Sequence, residues 1–419
     1  MEIQGRVRLS DLTPLAPGEF DEAVRICSQI RAIREGRTDY IKRHNLDTEI
    51  ALPAANWEEG SSNDFVDAYR FVVGNPRYEV INRLRFYTQF FTGYNLQSLS
   101  SARGKKSVAE IPDNLDAVLD RTHPEPDPWV HRYLEMAKRT PPELLVSVPR
   151  MMGEIGWNVS GITVSHDLCV YQERLNLLYE AGMIDELRQK VKKTGSVNVL
   201  EIGGGFGGLA HLVRQVVPQV NYFICDLPES LLFSSLYLGM AHSGQRHTRY
   251  DGSDPRVLAR NDRGFKFIPN FMFDDLKAAN VRFDLAINTL SFSEMSEKQV
   301  RYYASRLKDF LGKTGVLFEQ NQDNRGIGFI YCKEYLHEYF ANRETLQAVS
   351  MPGLTQGIAD LWSNRADKVQ TRWLADKPAW RLLHGMRRAG PRLRQIARKV
   401  LGEKGYQRVR AGWHALRGR

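Results

Sequence analysis

The chain has 419 residues, of which 42% are hydrophobic and 26% are charged. This length exceeds what one hydrophobic core usually supports, so we expect two folded units and an appendage. Its four cysteines are far apart and form no CxxC pair, which excludes a disulfide scaffold or a zinc ribbon and favours a reducing cytoplasm. We expect neither a signal peptide nor a membrane span, because no stretch approaches ~18 uninterrupted apolar residues.

The positive charge is concentrated at the carboxyl terminus. The formal net charge is +9, but residues 364–419 alone hold 16 basic and three acidic residues, a net of +13. Residues 1–363 therefore carry a net charge of −4. The basic character belongs to a tail, and we predict no specific nucleic-acid binding by the body.

Residues 1–195 are predicted to form a mainly helical domain. Apolar residues recur at helical spacing over 64–96, with a break at Asn75-Pro76, and a further helix is predicted over 129–139. The aromatic cluster at 85–94 suits a core, a dimer face or a lid over a sugar. Our hypothesis is that this domain closes over the acceptor and helps a second subunit to form a homodimer.

From residue 196 the pattern changes to short apolar runs that alternate with helical periods. This alternation is typical of a parallel sheet covered on both faces, so we predict an α/β domain over 196–363. The predicted strands span 198–202, 221–225, 265–268, 285–288 and 316–319, and the helices span 208–217, 229–242 and 297–311. A helix near 331–340 precedes strands near 345–349 and 357–361, whose close spacing indicates an antiparallel final pair.

A glycine-rich turn joins the first predicted strand to its helix. Gly203, Gly205 and Gly207 permit a positive φ and let a ligand approach the backbone, and the helix that follows favours an anionic group at its N-terminus. Asp226 ends the next strand, where a carboxylate can accept hydrogen bonds from both hydroxyls of a ribose. The pattern predicts a nucleoside pocket; a turn without a ligand is the alternative.

Two cofactors compete for this pocket. Gly203, Gly205 and Gly208 also spell GxGxxG, the dinucleotide fingerprint. However, Glu201 lies two residues before the first glycine, and a carboxylate there suits the ammonium group of S-adenosylmethionine and would oppose a pyrophosphate. The antiparallel final pair also matches a seven-stranded methyltransferase sheet better than a six-stranded dehydrogenase sheet. No Gly-Lys-Ser/Thr follows, which excludes a P-loop.

Two segments carry a more specific resemblance. CDLPESL at 225–231 and INTLSFSEM at 287–295 resemble motifs of a bacterial family of proposed sugar O-methyltransferases. The resemblance covers roughly residues 145–363 and includes GEIG at 153–156 and YQERL at 171–175. It implies a Rossmann-like seven-stranded fold, S-adenosylmethionine as methyl donor and a sugar or glycoconjugate acceptor of polysaccharide biosynthesis. We place Leu227 and Asn288 with the cofactor, beside Asp226 and at the end of the fourth strand.

Methyl transfer to a hydroxyl is an in-line displacement in which the protein supplies positioning and proton removal. Glu294 is our first choice of base, because it follows the fourth strand beside the expected methyl group; its alternative role is to cap the next helix or to pair with a basic side chain. His166, His242 and His247 are further candidate bases, with structural histidines as the alternative.

Further polar residues are candidates for the acceptor side of the site. Asn321 follows the fifth strand and is assigned to substrate binding. Glu154 reaches over the pocket toward sugar hydroxyls, or else forms a salt bridge between helices. Asp274 and Asp275 could hold Mg²⁺ together with Asn288, although a solvated turn is the alternative.

Residues 364–419 are predicted to form a basic helical tail. Over 392–401, Leu393, Ile396, Val400 and Leu401 fall on one helical side and basic residues on the other, with tryptophans nearby. This arrangement suits peripheral binding to an anionic membrane at its inner, cytoplasmic face. Docking on the acidic body is the alternative.

Together these features predict a cytoplasmic S-adenosylmethionine-dependent O-methyltransferase. The first competitor is an NAD-dependent oxidoreductase or epimerase, but the Tyr-x-x-x-Lys pair it would need does not follow the fourth strand at a suitable distance. The second competitor is a methyltransferase-like scaffold without catalytic activity.

Overall fold

The computed structural model describes residues 1–54, 57, 64–88, 115–122, 124–346 and 358–366. The basic tail beyond residue 366 and residues 89–94 of the aromatic cluster lie outside these ranges. The interpretations of those segments therefore stay predictions.

A small antiparallel sheet lies ahead of the central sheet. Its strands are β1 (Ile3–Arg6), β2 (Trp157–Val159) and β3 (Ile162–Val164), with β2 in the middle. The sequence analysis did not predict it, because strands of three or four residues are too short to show a periodic pattern.

The central sheet has eight strands. They are β4 (Val197–Ile202), β5 (Val220–Asp226), β6 (Thr248–Arg249), β7 (Phe265–Pro269), β8 (Leu285–Thr289), β9 (Val316–Gln320), β10 (Asn342–Thr345) and β11 (Ala359–Ser363). Their spatial order is β10-β11-β9-β8-β4-β5-β7-β6. All pairs from β9 to β6 are parallel, whereas β11 runs antiparallel to both β9 and β10.

This topology confirms the predicted α/β, Rossmann-like fold. Each of the five predicted parallel strands is present and ends within one residue of its predicted bounds, and the last two strands form the antiparallel pair. The predicted count of seven strands was wrong, because the two-residue strand β6 adds an eighth at the edge, beside Lys266 and Phe267 of β7. Two residues leave no alternation that a sequence pattern could show.

Helices cover the sheet and form most of the chain before it. They are α1 (Pro17–Glu35), α2 (Arg37–Arg43), α3 (Thr48–Ala51), α4 (Asp64–Gly74), α5 (Tyr78–Ile81), α6 (Leu115–Thr122), α7 (Pro128–Ala137), α8 (His166–Glu180), α9 (Met183–Thr194), α10 (Gly208–Val216), α11 (Pro228–Ala241), α12 (Asp275–Ala278), α13 (Glu297–Leu311) and α14 (Lys333–Leu336). Short 3₁₀ turns connect several of them. The helix predicted at 331–340 is only one turn long in the structure.

The early helices and the sheet share one hydrophobic core, which extends from Leu15 to Trp362. Helix α1 packs against α11, where Arg34 forms a salt bridge of 2.8 Å with the buried Glu229. Residues near position 50 lie at the carboxyl edge of the sheet, where Asn270 Nδ2, directly after β7, donates to the Ala51 carbonyl at 2.9 Å. Among the described residues, no helix combines the length and the apolar character that crossing a membrane requires.

Candidate active site

A cavity of about 300 Å³ opens where β4, β5 and β8 end. In an open α/β sheet, ligands bind at the carboxyl ends of the strands, beside the point where the strand order reverses. Strand β4 lies at such a point, since the chain continues from it to β5 on one side and returns through β8 on the other. The cavity wall comes from the ends of β4, β5, β7 and β8, from residues of α8, α11 and α13, and from a covering segment that consists of residues 52–54 and 57.

The glycine turn forms one wall of the cavity. Gly203 has a φ of +76° and Gly205 a φ of +57°, a conformation that favours glycine, and the Gly203 N–H donates to the Cys225 carbonyl at 2.9 Å. Both line the cavity. Gly207 does not line it; a Cβ there would lie 2.7 Å from the Leu238 side chain, so this glycine permits α10 to pack against α11.

Asp226 stands at the end of β5 and faces the cavity beside the glycine turn. Its Oδ2 accepts a hydrogen bond from the Gly205 N–H at 3.0 Å, and its Oδ1 accepts one from the Leu227 N–H at 2.8 Å. Burial raises the pKa of Asp226 to about 7 in spite of these two bonds. The Ser230 side chain also forms a hydrogen bond with this carboxylate, which has about four lone-pair sites in all and can therefore still accept a hydroxyl of a ligand. Leu227 lines the cavity as well.

Glu201 lies at the end of β4, with its side chain in the cavity wall. The Tyr222 hydroxyl donates to Oε2 at 2.8 Å, and burial raises the pKa of Glu201 to about 7. A positively charged group in the cavity would favour the ionised form. Glu201 thus lies in the cavity wall, and its contact with an ammonium group stays a prediction.

Glu294 also lines the cavity, from a 3₁₀ turn of residues Ser291–Glu294. The Trp57 indole N–H donates to its Oε2 at 3.1 Å, and burial raises the pKa of Glu294. It does not cap α13, because Ser296 does so: Ser296 Oγ accepts from the Gln299 N–H, and the Gln299 side chain accepts in return from the Ser296 N–H. The capping role considered for Glu294 is thus taken by another residue.

The turn that carries Glu294 begins with a strained residue. Leu290 has φ +66° and ψ −34°, although it is not a glycine, and its side chain lines the cavity. Such a conformation costs roughly 1–3 kcal/mol and persists where the surroundings impose it. The Leu290 N–H is held by the Gln320 carbonyl at 2.9 Å. This strain lies at the point that directs Glu294 into the cavity.

The covering segment was not recognised in the sequence. Two side chains fix the backbone at its start. Asn270 Nδ2 donates to the carbonyl of the preceding residue, Ala51, at 2.9 Å, and Gln299 Nε2 donates to the Leu52 carbonyl at 3.0 Å. The partners are more than 200 residues apart in sequence, and the segment shows no periodic pattern. Only the fold could reveal that it closes the cavity.

Two more residues of the wall were missed, Arg174 and Asn270. Both are buried and line the cavity, and both have a polar side-chain atom without a hydrogen-bond partner among the described residues, Arg174 Nη2 and Asn270 Oδ1. Arg174 belongs to the YQERL motif, so the sequence contained a signal for it, but nothing there indicated which side of α8 faces the ligand.

Asn288 and Asn321 lie directly behind the cavity wall. Asn288 Nδ2 donates to the Ile202 carbonyl at 3.0 Å and to Ser291 Oγ at 2.6 Å, and its Oδ1 accepts from Asn321 Nδ2 at 2.9 Å. Asn321 Oδ1 in turn accepts from the Ser293 N–H at 3.1 Å. These hydrogen bonds connect β4, β8 and the Ser291–Glu294 turn. Asn288 and Asn321 therefore position the residues of the cavity wall. Direct contact with cofactor or substrate stays a prediction for both.

Glu154 is placed in a buried ion cluster, and it is not among the residues that line the cavity. Arg85 Nε donates to Glu154 Oε2 at 2.5 Å, and its Nη2 donates to Asp167 Oδ2 at 2.9 Å. The Arg85 guanidinium also lies 3.5 Å from the centroid of the Phe206 ring. Of the two roles considered for Glu154, contact with sugar hydroxyls and a salt bridge, the structure shows the salt bridge.

The candidate histidines also lie away from the cavity wall. His166 is buried with its ring 4.2 Å from that of Trp129, centroid to centroid. His242 Nε2 lies 3.0 Å from His211 Nδ1, and His247 Nε2 lies 3.0 Å from the His242 carbonyl. Among the candidate bases, only Glu294 lines the cavity.

The two aspartates considered for magnesium have other partners. Asp274 forms a salt bridge with Arg306, and Asp275 Oδ2 accepts hydrogen bonds from Tyr40 and Tyr250 at 2.9 and 2.7 Å. Within the described ranges, no group of three or more His, Cys, Asp or Glu residues has an arrangement that could hold a metal ion.

Comparisons with known proteins give weak likenesses of fold. No protein-family model and no curated protein matches the chain. Among solved structures, an O-methyltransferase family protein from Burkholderia thailandensis is 10% identical, with a TM-score of 0.31 over 48% of this chain and 62% of its own. MNMC2 from Aquifex aeolicus is 11% identical, with a TM-score of 0.30 over 52% and 68%. The N-methyltransferase NodS from Bradyrhizobium japonicum, in complex with S-adenosyl-L-homocysteine, is 16% identical, with a TM-score of 0.26 over 44% and 85%. The chain thus spans less than two thirds of the first of these structures, and the function must be argued from its own residues.

Proposed function

We propose that this protein is an S-adenosylmethionine-dependent O-methyltransferase that methylates a hydroxyl of a sugar or glycoconjugate. The observation that carries the proposal is that one cavity joins the glycine turn, Asp226 and Glu201 to a further, partly buried carboxylate, that of Glu294. A methyl donor and a base for the acceptor hydroxyl are needed within one site, and the cavity provides for both.

The charges of the cavity wall fit this cofactor. Three carboxylates, of Glu201, Asp226 and Glu294, face one guanidinium, that of Arg174. S-adenosylmethionine brings a sulfonium, an ammonium and one carboxylate, and is therefore a net cation. A dinucleotide would place a doubly charged pyrophosphate beside Glu201, where like charges repel. The wall therefore favours S-adenosylmethionine over NAD.

The size and the polar atoms of the cavity fit as well. Its volume lies at the lower end of the range of about 300–1,000 Å³ that is typical of ligand pockets. Two buried polar atoms of the wall, Arg174 Nη2 and Asn270 Oδ1, have no partner in the described chain, and a polar ligand would give them one. When bound, the cofactor supplies an activated methyl group.

The chain's own residues then account for binding, orientation and proton removal. Asp226 accepts the ribose hydroxyls, and Glu201 accepts the ammonium group. Glu294 takes the proton of the acceptor hydroxyl: burial raises its pKa, which makes the carboxylate a stronger base than an exposed one. The Trp57 N–H donates to Oε2, so Oε1 is available to take the proton.

A sugar acceptor is supported by the resemblance of segments 225–231 and 287–295, which both reach the cavity. Next to Glu294, the wall also offers the indole of Trp57 and the apolar side chains of Leu52, Pro53 and Met295. The indole N–H is engaged with Glu294, so Trp57 offers its aromatic face, which suits the C–H face of a sugar, while the Glu294 carboxylate can accept from a sugar hydroxyl.

Calorimetry with S-adenosylhomocysteine and with NAD tests the cofactor. We expect binding of the first and none of the second, and Asp226→Asn should weaken the binding of S-adenosylhomocysteine at least tenfold. Binding of NAD alone would favour the alternative of an NAD-dependent oxidoreductase. If neither S-adenosylhomocysteine nor NAD binds, the alternative of a scaffold without catalytic activity would be favoured.

Transfer of labelled methyl groups to bacterial glycans tests the reaction. Glu294→Gln should lower the rate by about 10²–10⁴-fold, the usual contribution of a general base, without loss of cofactor binding. Glu297→Gln is the matched control, because this nearby exposed carboxylate pairs with Arg301 outside the cavity. Equal rates for the two variants would exclude Glu294 as the base.

A further inference from the structure

Arg174 is a buried cation whose hydrogen-bonding capacity is largely unused. It lies on α8, is only 2% exposed and lines the cavity. Its Nε donates to Gln320 Oε1 at 2.9 Å, while its buried Nη2 has no partner within the described residues. A guanidinium offers five N–H donors, and an unmatched buried charge is unfavourable. The side chain is therefore prepared for an anionic partner that enters the cavity.

The neighbouring acidic groups are committed to other partners. Glu173 pairs with Arg132 at 3.2 Å, Asp167 pairs with Arg85 at 2.9 Å, and Glu201 accepts from Tyr222 at 2.8 Å. None of them comes within 4.0 Å of the Arg174 guanidinium as a salt-bridge partner in the described chain. Burial lowers the pKa of Arg174, as expected for a cation without a close counter-charge.

Arg174 shares its cavity wall with Glu201, so opposite charges line one cavity without forming an ion pair. Such an arrangement matches a ligand that itself carries both charges close together. We propose that Arg174 and Glu201 together recognise the zwitterionic amino-acid end of the cofactor, with Arg174 donating hydrogen bonds to the α-carboxylate and Glu201 accepting from the ammonium group. This inference rests on the proposed function and adds to it a residue that determines ligand specificity.

The proposal divides the cofactor into two separately held parts. Asp226 and the glycine turn hold the adenosine part, and Arg174 acts only on the amino-acid part. 5′-Methylthioadenosine has the adenosine part and lacks the amino-acid part. Its affinity should therefore not depend on Arg174, and it serves as an internal check that a variant is folded.

The test compares the calorimetric affinities of S-adenosylhomocysteine and 5′-methylthioadenosine for the full chain. Arg174→Gln should lower the affinity for S-adenosylhomocysteine about 10- to 100-fold, the effect of one lost hydrogen bond between charged groups, and leave that for 5′-methylthioadenosine unchanged. Arg174→Lys should restore part of the loss, since it keeps the charge but not the fork of donors. Arg188→Gln, on the surface of α9, is the control and should change neither affinity.

Equal losses for both ligands in Arg174→Gln, or no loss for either, would overturn the proposal. A second measurement needs no variant: the carboxamide of S-adenosylhomocysteine should bind the unaltered protein about tenfold or more weakly than the acid. Equal binding of acid and amide would overturn the role of Arg174 while the proposed function stands. If the unaltered protein binds neither adenosine compound, both the proposed function and this inference fail.

Discussion

Gly203 and Ser291 approach each other so closely that only a glycine fits at position 203. A Cβ on Gly203 would lie 2.3 Å from Ser291 Oγ. Ser291 Oγ also donates to the Ile202 carbonyl at 3.2 Å and accepts from Asn288 Nδ2. The glycine turn and the turn that carries Glu294 are therefore packed together as one unit, so that the position of one depends on the other.

Gly203→Ala should disrupt this unit. The φ of +76° disfavours any other residue by about 1–3 kcal/mol, and the clash with Ser291 adds to that cost. We expect a lower melting temperature and loss of S-adenosylhomocysteine binding by calorimetry. Gly244→Ala is the control, because a Cβ there meets no heavy atom within 4 Å. Full cofactor binding by Gly203→Ala would show that the two turns are not coupled.

The buried cluster of Arg85, Glu154 and Asp167 should be sensitive to loss of its cation. Arg85→Leu leaves two buried carboxylates without a counter-charge, and breaking a buried pair in this way costs about 3–5 kcal/mol. Urea unfolding should show this loss in the free energy of unfolding at pH 7.5 and a smaller loss at pH 5. Burial raises the pKa of Glu154, so at the lower pH its carboxylate can take up a proton and no longer needs a counter-charge.

Two further variants test the explanation for Arg85. Addition of Glu154→Gln and Asp167→Asn to Arg85→Leu should recover much of the stability, since no buried charge remains. Arg31→Leu removes an exposed pair with Glu35 and should leave the unfolding midpoint unchanged. A triple variant as unstable as Arg85→Leu would mean that packing, and not charge, sets the cost.

The histidine cluster should make stability depend on pH. His211 Nε2 donates to the Ser147 carbonyl, so its Nδ1 accepts from His242 Nε2, and both rings are neutral. Burial lowers the pKa of His211 to about 4 and that of His242 to about 3, whereas an unfolded histidine titrates near 6.5. The stabilisation is therefore fully present above about pH 6.5 and is lost as the pH falls from there toward 4.

Urea unfolding between pH 7.5 and 4.5 measures this loss. His211 alone should contribute a slope of up to about 1.4 kcal/mol per pH unit below pH 6.5. His211→Gln should be less stable at pH 7 but should show a shallower slope, whereas the exposed His131→Gln should behave as the unaltered chain. Parallel slopes for all three proteins would rule out His211 as the titrating group.

The tail prediction can be tested with a truncation that the structure defines. Asn364 donates to the Tyr339 carbonyl at 3.1 Å and Arg365 Nε donates to the Thr314 carbonyl at 2.8 Å, so the cut should follow residue 366. We expect residues 1–366 to bind S-adenosylhomocysteine normally but to be released from anionic vesicles, since basic residues near such a surface contribute about 1 kcal/mol each. Neutral vesicles are the control. Undiminished binding of the shortened chain to anionic vesicles would refute a membrane role for the tail.

The sequence alone was enough for the α/β fold, for the bounds of five strands and for the glycine turn with Glu201 and Asp226. These features are local: a buried strand needs a continuous apolar run, a turn with positive φ needs glycine, and a residue at a strand end has its place determined by the strand. Glu294 could also be placed near the cavity in this way, because it follows β8 directly.

The tertiary structure alone decided which of the other polar residues belong to the site. Glu154, His166 and His242 have residue types suited to catalysis, yet the fold places them in ion pairs and ring contacts away from the cavity. Conversely, Trp57 lines the cavity although no pattern marked it, and Arg174 does so although its motif did not indicate which side of α8 faces the ligand. Trp57 and Glu294 are separated by 237 residues, and a contact over such a distance depends on long-range hydrogen bonds such as those from Asn270 and Gln299 to the Ala51 and Leu52 carbonyls, which no local periodicity contains.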